Sequence, residues 1–362
     1  MHPVPDTVRI QGGDLRAYAA GQITVDLSIC HNPYGPSPRA IEAGMRLLAE
    51  SPGALAPPPY GCEEPYLDAY ADRLGVPATE LAAGRGVTEF LIVLARLLRG
   101  RRPAVITPDY THTLRLFSYG AQYVPGQAVL DTDIGRLTRL RRAMASQSVV
   151  VLSNPCNPTG QCLPPGEIIS ICTDFPQSLM ILDEEYVDLH GPGLTTVGAD
   201  VDNLVVLRST GKSYGIVGTR AGVMWTRSKE LLSLVRMEMQ DPWRLSLLDA
   251  VMAAAALQDE QWLEGTRNAL HRDAARLEDH LRDAFGPRAR LQGPDHPLHY
   301  RFVHLPNPRP VVEHLSEHGV SVRSFGDYGG HIPGIRFAAP STDEQLATLV
   351  HALNTLPEKR AA

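Results

Sequence analysis

Five short apolar runs recur through the middle of the chain: "PAVITP" (103–108), "SVVVLS" (148–153), "SLMILDE" (178–184), "NLVVLR" (203–208) and "AGVMW" (221–225). Each is apolar at consecutive rather than alternate positions, which is the pattern of a strand buried on both faces. Helical periods lie between several of them. "TEFLIVLARLLRG" (88–100) carries apolar residues at helical spacing, with Thr88 able to cap its start and Gly100 able to stop it. "TDIGRLTRLRRAMAS" (132–146) reads as a second amphipathic helix. This alternation predicts an α/β protein with a mostly parallel central sheet and helices on both faces. Past about residue 245 the pattern changes. Residues 245–286 are nearly all helix formers, in one long helix or two joined ones. A small α+β unit follows, with strands expected at 299–305, 320–325 and 334–339 and helices at 309–318 and 342–354. The Pro-rich "SPGALAPPPYG" (51–61) reads as a rigid loop, and no repeat is visible.

Composition narrows the function. At 362 residues the chain can bury one large core or two ordinary ones. A net charge of −6 leaves no basic excess for a nucleic acid or an anionic membrane. No apolar stretch approaches the ~20 residues that span a bilayer. The opening "MHPVPDTVRIQGGDLRAYAAG" lacks the basic and apolar regions of a signal peptide. Five irregularly spaced cysteines, Cys30, Cys62, Cys156, Cys162 and Cys172, form neither a disulfide framework nor a metal motif. The reading is a cytoplasmic protein with reduced thiols and no metal. One feature of the composition bears on chemistry. Of 34 Lys and Arg only three are Lys: Lys212, Lys229 and Lys359.

In doubly wound sheets, ligands bind beyond the carboxyl ends of the strands. "AAGRGVTEF" (82–90) enters a helix through Gly84 and Gly86, so its first N–H groups could face an anion; equally, it could be an ordinary glycine turn. "SNPCNPTGQ" (153–161) holds two Asn-Pro pairs, which cannot continue a strand and present Asn154 and Asn157 on a rigid turn. "ILDEEYVDL" (181–189) puts Asp183 at the end of a buried strand, where a carboxylate needs a partner, with Tyr186 three residues on. Lys212 lies in "STGKSYGIVGTR", eight residues before Arg220. A partly buried amine beside a cation is a candidate carbonyl-binding nucleophile. Lys229 reads as exposed in the first turn of a helix capped by Ser228, and Lys359 lies in the tail.

Together "NPYGPSP" (32–38), "NPCNPTG" (154–160), "DEEY" (183–186) and Ser209, Lys212, Gly218 and Arg220 in "STGKSYGIVGTR" match one pattern. The chain resembles the fold-type I pyridoxal-phosphate (PLP) enzymes, specifically the class I and II aminotransferases near the histidinol-phosphate aminotransferases, over roughly residues 25–355. The resemblance implies a large PLP-binding domain at 36–258, with residues 1–35 and 259–362 forming a small domain. It implies that Lys212 holds the cofactor covalently and shuttles a proton, and that Asp183 pairs with the ring nitrogen. Asn157 and Tyr186 would serve the phenolic oxygen, and Tyr110 in "TPDYTHT" would stack on the ring. Gly86, Val87, Thr88, Ser209 and Arg220 would cradle the phosphate, and Tyr60 would reach the neighbouring subunit's cofactor in a homodimer. Arg336 in "GIRFAAPST" would bind the substrate carboxylate, with Arg323, Asn32, Tyr34 and Arg244 around the substrate. The partners implied are an L-amino acid or amino-alcohol phosphate and a 2-oxo acid.

Some positions depart from the family pattern. Gly211 stands where relatives usually have Ser or Thr before the lysine, which removes one phosphate hydroxyl. His31 precedes the first Asn-Pro, and Arg244 stands where relatives tend to have small or uncharged residues; both differences fall near the expected substrate side chain. Decarboxylation, as in threonine-phosphate decarboxylases, or another reaction at the α-carbon is the alternative on the same apparatus. A PLP-sensing regulator would need a DNA-binding unit before the fold.

Overall fold

The computed structural model describes residues 12–125, 132–239, 244–286, 290–291, 297–325 and 332–357. Residues 1–11 and Lys359 lie outside them. The chain divides into two compact units, the larger comprising residues 31–157 and 161–267, the smaller residues 1–30, 158–160 and 268–362.

In the larger unit, seven strands form one sheet in the order Leu81–Gly84, Gly222–Trp225, Leu204–Ser209, Leu179–Asp183, Val149–Ser153, Pro103–Ile106 and Ala121–Tyr123. Gly222–Trp225 runs antiparallel to both neighbours; every other pairing is parallel. All five apolar runs form strands here. Two strands were not expected. Leu81–Gly84 has no β-branched residue to announce it, and Ala121–Tyr123 is a three-residue edge strand, largely exposed.

The register explains the core. Val105 pairs with Val151, Val151 with Ile181 and Ile181 with Val205. Side chains alternate along each strand, so these four line one face in a row across the sheet. They pack with Phe90, Leu91 and Leu94 of the helix Gly86–Leu97 and with Leu232 and Val235 of the helix Lys229–Glu238. Each such side chain contributes about 1.5–3 kcal/mol by leaving water.

The same register builds a rim. Ser209 pairs with Gly222, and Gly222 with Gly84, while Ser153 pairs with Asp183. Asp183 pairs with Leu207, two residues before its neighbour's end at Ser209, so these parallel strands finish within a turn of one another and the loops after them open along one edge of the sheet. At the end of this edge the helix Gly86–Leu97 starts two residues earlier than Thr88 suggests. Thr88 sits inside the first turn, and Glu89 instead reaches back to accept the Arg85 N–H at 2.6 Å. The start of that helix lies against the sheet so closely that Gly222 has no room for a side chain: a Cβ there would fall 2.6 Å from the Gly86 Cα.

Residues 245–286 form two helices, Leu247–Leu257 and Glu260–Phe285. Ser246 caps the first by accepting the Asp249 N–H at 3.1 Å. The division between the units falls inside the second. In the smaller unit, strands Arg323–Phe325, Gly334–Ala338, Tyr300–His304 and Arg290–Leu291 form an antiparallel sheet in that order. The run 320–325 is not one strand, as expected, but two. Val320–Ser321 pairs in parallel with Val25–Asp26, and Arg323–Phe325 joins the four-stranded sheet.

Gly222→Ala is expected to destabilise the protein by about 1–3 kcal/mol, because the group in the way is backbone and cannot rotate aside. Urea unfolding measures this. An unchanged midpoint would mean that the helix start yields.

Candidate active site

Lys212 sits in the loop after the strand Leu204–Ser209, half-buried, whereas Lys229 is exposed at a helix start capped by Ser228. A second loop braces the lysine. Asn32 donates its N–H to the Lys212 carbonyl at 2.8 Å. Its side-chain amide donates to the Ser213 carbonyl at 3.0 Å and to Thr266 at 2.9 Å, and its Oδ1 accepts the Tyr34 N–H at 3.1 Å. Gly35 and Gly215 make this contact possible: Gly215 has φ +67°, and a Cβ on it would stand 2.6 Å from the Gly35 Cα. Asn32, expected beside the substrate, is fully buried with its amide committed to the lysine loop. Tyr34, on the same loop, is exposed.

Next along the rim is Asp183, buried at the end of its strand. Its Oδ1 accepts the Glu185 N–H at 2.9 Å. Burial, and then the charge of Glu185, pushes the Asp183 carboxyl well above the usual range; Asp109 and Glu184 add to this. Of the acids in "DEEY", Glu184 turns away from the rim. It accepts from the Thr196 N–H and hydroxyl, both at 2.7 Å, and pairs with Arg208, which also holds Asp188 at 2.8 Å. Tyr186 is buried one residue past Glu185.

Asp109 ties the following loops together. Fully buried, it accepts the Ser153 N–H at 2.6 Å, the Ser153 hydroxyl at 2.9 Å and the Tyr110 N–H at 2.7 Å. Ser153 in turn accepts the Asn157 N–H at 3.1 Å. One carboxylate therefore fixes the backbone of Tyr110, which is half-buried, and of Asn157, which is buried. Asn154 closes the Asn-Pro turn, donating to the Leu163 carbonyl at 2.9 Å and accepting the Leu163 N–H at 2.7 Å. Burial pushes the Asp109 carboxyl up to about 6, against the pull of Arg136 at 3.9 Å and of Ser153. Sequence reasoning missed Asp109 because the residue beside it, Tyr110, carried the recognisable feature.

The far end of the rim gathers donors. Gly86 opens its helix at φ +74°, and a Cβ there would lie 2.9 Å from Arg220 Nη2, so Arg220 arches over the helix start. Val87 is buried and Thr88 half-buried in the first turn. Ser209, level with Gly222, accepts the Gly211 N–H at 3.2 Å and donates to Glu185 Oε1 at 2.7 Å. Positive ends of the peptide dipoles, a guanidinium and a hydroxyl thus converge on one spot suited to an anion. Arg244 is buried, its carbonyl accepting from Arg85 Nε at 3.1 Å. Tyr60 is 66% exposed.

In the smaller unit Arg323 and Arg336 stand directly opposite on adjacent strands. Arg336 donates to the Ser28 carbonyl at 2.9 Å, and its guanidinium lies 5.5 Å from the Tyr300 ring centre and 5.9 Å from that of Phe325. The Arg323 guanidinium lies 5.6 Å from the Phe325 ring centre. Among the described residues no cluster of His, Cys, Asp and Glu suits a metal, and no helix is long and apolar enough to cross a membrane.

The sequence matches the family model of aminotransferase class I and II over residues 22–353. It is 30% identical over 341 residues to histidinol-phosphate aminotransferase 2 of Rhizobium meliloti, covering 91% of this chain and 92% of that protein. It is 27% identical over 357 residues to histidinol-phosphate aminotransferase 1 of Bordetella parapertussis, covering 95% and 97%. Among solved structures, the histidinol-phosphate aminotransferase of Sinorhizobium meliloti in complex with pyridoxal-5'-phosphate superposes with a TM-score of 0.79 at 20% identity, over 100% of this chain and 98% of that one.

Asp109→Ala is expected to lower stability by about 3–5 kcal/mol, because it strands a fully buried Arg136. Asp109→Asn tests the charge. The folded protein holds the Asp109 proton up to about pH 6, against a reference value of 3.8. The proton-linked stability is thus fully present below 3.8 and falls as pH rises through about 6. The stability of the wild type relative to Asp109→Asn should decline across that window in urea titrations; a difference independent of pH would contradict the assignment.

Proposed function

The chain belongs to the aminotransferase class I and II family, and on that premise we propose that it transfers an amino group between an L-amino acid or amino-alcohol phosphate and a 2-oxo acid, with Lys212 as the cofactor-bearing residue. It is a PLP-dependent aminotransferase, and its substrates are amino and oxo acids. The observation that carries the residue assignment is the convergence, on one edge of one sheet, of a half-buried lysine, a buried strand-end carboxylate and an anion cradle.

These residues fit PLP. Asp183 is held above its usual pKa by burial and anionic neighbours, so a protonated ring nitrogen would supply the cation that returns it to a carboxylate. The cradle of Gly86, Val87, Thr88, Ser209 and Arg220 has the donors and the close backbone approach that a phosphate requires. When bound, PLP supplies the electron sink for the bond broken at the substrate α-carbon.

The chain's own residues divide the remaining work. Asp183 keeps the ring nitrogen protonated. Asn157 and Tyr186 would donate to the phenolic oxygen, and Tyr110, its backbone fixed by Asp109, would stack on the ring. Lys212 Nζ binds the cofactor and then carries the proton to and from the substrate. Arg336 binds the substrate carboxylate as a fork, and Arg323 beside it takes a second acidic group. Tyr34 and Arg244 are assigned to the substrate side chain. Decarboxylation is not the favoured outcome, because the family and the relatives quoted are aminotransferases.

A homodimer completes the proposal. Met45 and Leu48, three apart on the helix Pro38–Glu50, are exposed, as are Leu55 and Tyr60 in the loop that follows. A second copy covering them would bring Tyr60 to its neighbour's phosphate. A cytoplasmic location belongs to the same reading.

Incubation with PLP followed by borohydride should fix the label on Lys212, as read by peptide mapping. A label on Lys229 or Lys359 instead would contradict the assignment. Asp183→Asn should retain PLP but lose about 10²–10³-fold in turnover, since it removes a preorganised charge. Mass analysis of a panel of amino acids with 2-oxoglutarate reads both the rate and the reaction; carbon dioxide as main product would overturn transamination.

A further inference from the structure

Glu185 has no part in the roles described so far, yet it reaches into the anion cradle. Its Oε1 accepts the Ser209 hydroxyl at 2.7 Å. Its Oε2 is buried and has no hydrogen-bond partner among the described residues. The hydroxyl's orientation is set by the chain: Gly211 N–H donates to Ser209 Oγ at 3.2 Å, so the serine's single proton points at Glu185. Burial raises the Glu185 carboxyl above its usual range, while the Ser209 hydrogen bond and the charges of Lys212, Arg220 and Arg208 pull it back. Lys212 and Arg208 come from the strand Leu204–Ser209 and its loop, Arg220 from the next loop and Asp183 from its own. Tyr66 and Tyr70 come from the helix Glu64–Leu74, and the charge of Glu185 works against ionisation of their buried hydroxyls.

We propose that Glu185 is a resident anion of the cradle, which holds Ser209 in the unloaded enzyme and gives up that hydroxyl when the phosphate of PLP arrives. The proposal rests on reading the cradle as the phosphate site. Ser209 has one proton to give, and a carboxylate and a phosphate cannot both take it. Gly211, next to the lysine, has no hydroxyl to offer as a substitute. Nor can the two anions share the spot cheaply, since like charges in a partly buried site repel strongly. A carboxylate that offsets Lys212, Arg208 and Arg220 before loading therefore works against the incoming phosphate. Its repulsion falls on the phosphate end of the cofactor, whereas any effect through Lys212 is common to PLP and its unphosphorylated form. Glu185 is in this sense a positioning residue that sets how strongly the site prefers a phosphorylated cofactor over its unphosphorylated form.

The test compares apo forms of the wild type, Glu185→Ala and Glu185→Gln. Each is titrated with PLP and separately with pyridoxal, which lacks the phosphate, following the visible absorbance of the lysine-bound form. The proposal expects the dissociation constant for PLP to fall about tenfold or more in both variants, the scale of one removed like-charge contact. The constant for pyridoxal should shift at least severalfold less, since both ligands share any change at Lys212 and only PLP carries the phosphate. The isosteric Gln variant keeps the test valid if the Ala variant does not fold. Weaker PLP binding in the variants, or equal shifts for PLP and pyridoxal, would overturn the proposal. Borohydride mapping separates the two levels of failure. A wild type labelled on Lys212 with unshifted variants removes the role of Glu185 alone, whereas a wild type that takes no label there removes the cofactor reading itself.

Discussion

Everything at this site depends on strand register. Gly84, Gly222 and Ser209 are level across three strands, and Ser153 is level with Asp183 two strands further on. A shift of one residue in any of these pairings would turn the strand-end side chains to the other face. It would also move Arg220 from above the Gly86 turn. The register is itself held by the row Val105, Val151, Ile181 and Val205, packed under the helix Gly86–Leu97. Apolar packing below the rim and polar chemistry on it are therefore one constraint. The contact between Gly222, which has no room for a side chain, and Gly86, held at positive φ, is the point at which they meet.

Above that base, the site consists of short hydrogen-bonded chains that start from buried acids. Asp109 fixes Tyr110 directly and Asn157 through Ser153. Glu184 fixes the turn after Asp183 through Thr196 and Arg208. Such acids are costly to bury, and each accepts several donors in return. The residues that would touch the cofactor therefore rest on an ordered support rather than on flexible loops, which is the condition for preorganised electrostatics.

Much of this was legible in the sequence. Consecutive apolar runs announced the five buried strands, and Asn-Pro pairs, the strand-end Asp183 and the rare Lys212 marked the loops. What escaped notice did so for physical reasons. Leu81–Gly84 becomes a strand through its antiparallel partner and not through its own propensity. Residues 320–325 look like one strand, but Val25–Asp26 claims the first half. The resemblance implied Asn32 beside the substrate, and the fold shows what a pattern cannot: its amide donates to Ser213 and Thr266 and its oxygen accepts the Tyr34 N–H. Glu185 was read as part of a motif. That Glu184 turns into an ion-pair network while Glu185 turns toward Ser209 is a matter of three-dimensional direction that no one-dimensional pattern encodes.

The central claim is that one rim of one sheet holds the whole cofactor. A crystal structure of the protein grown with PLP tests it most directly. The account predicts density continuous from Lys212 Nζ, an Asp183 oxygen within hydrogen-bonding distance of the ring nitrogen, and a phosphate between Arg220 and the Gly86 helix start. Density attached to another lysine, or a phosphate away from Ser209 and Arg220, would contradict it.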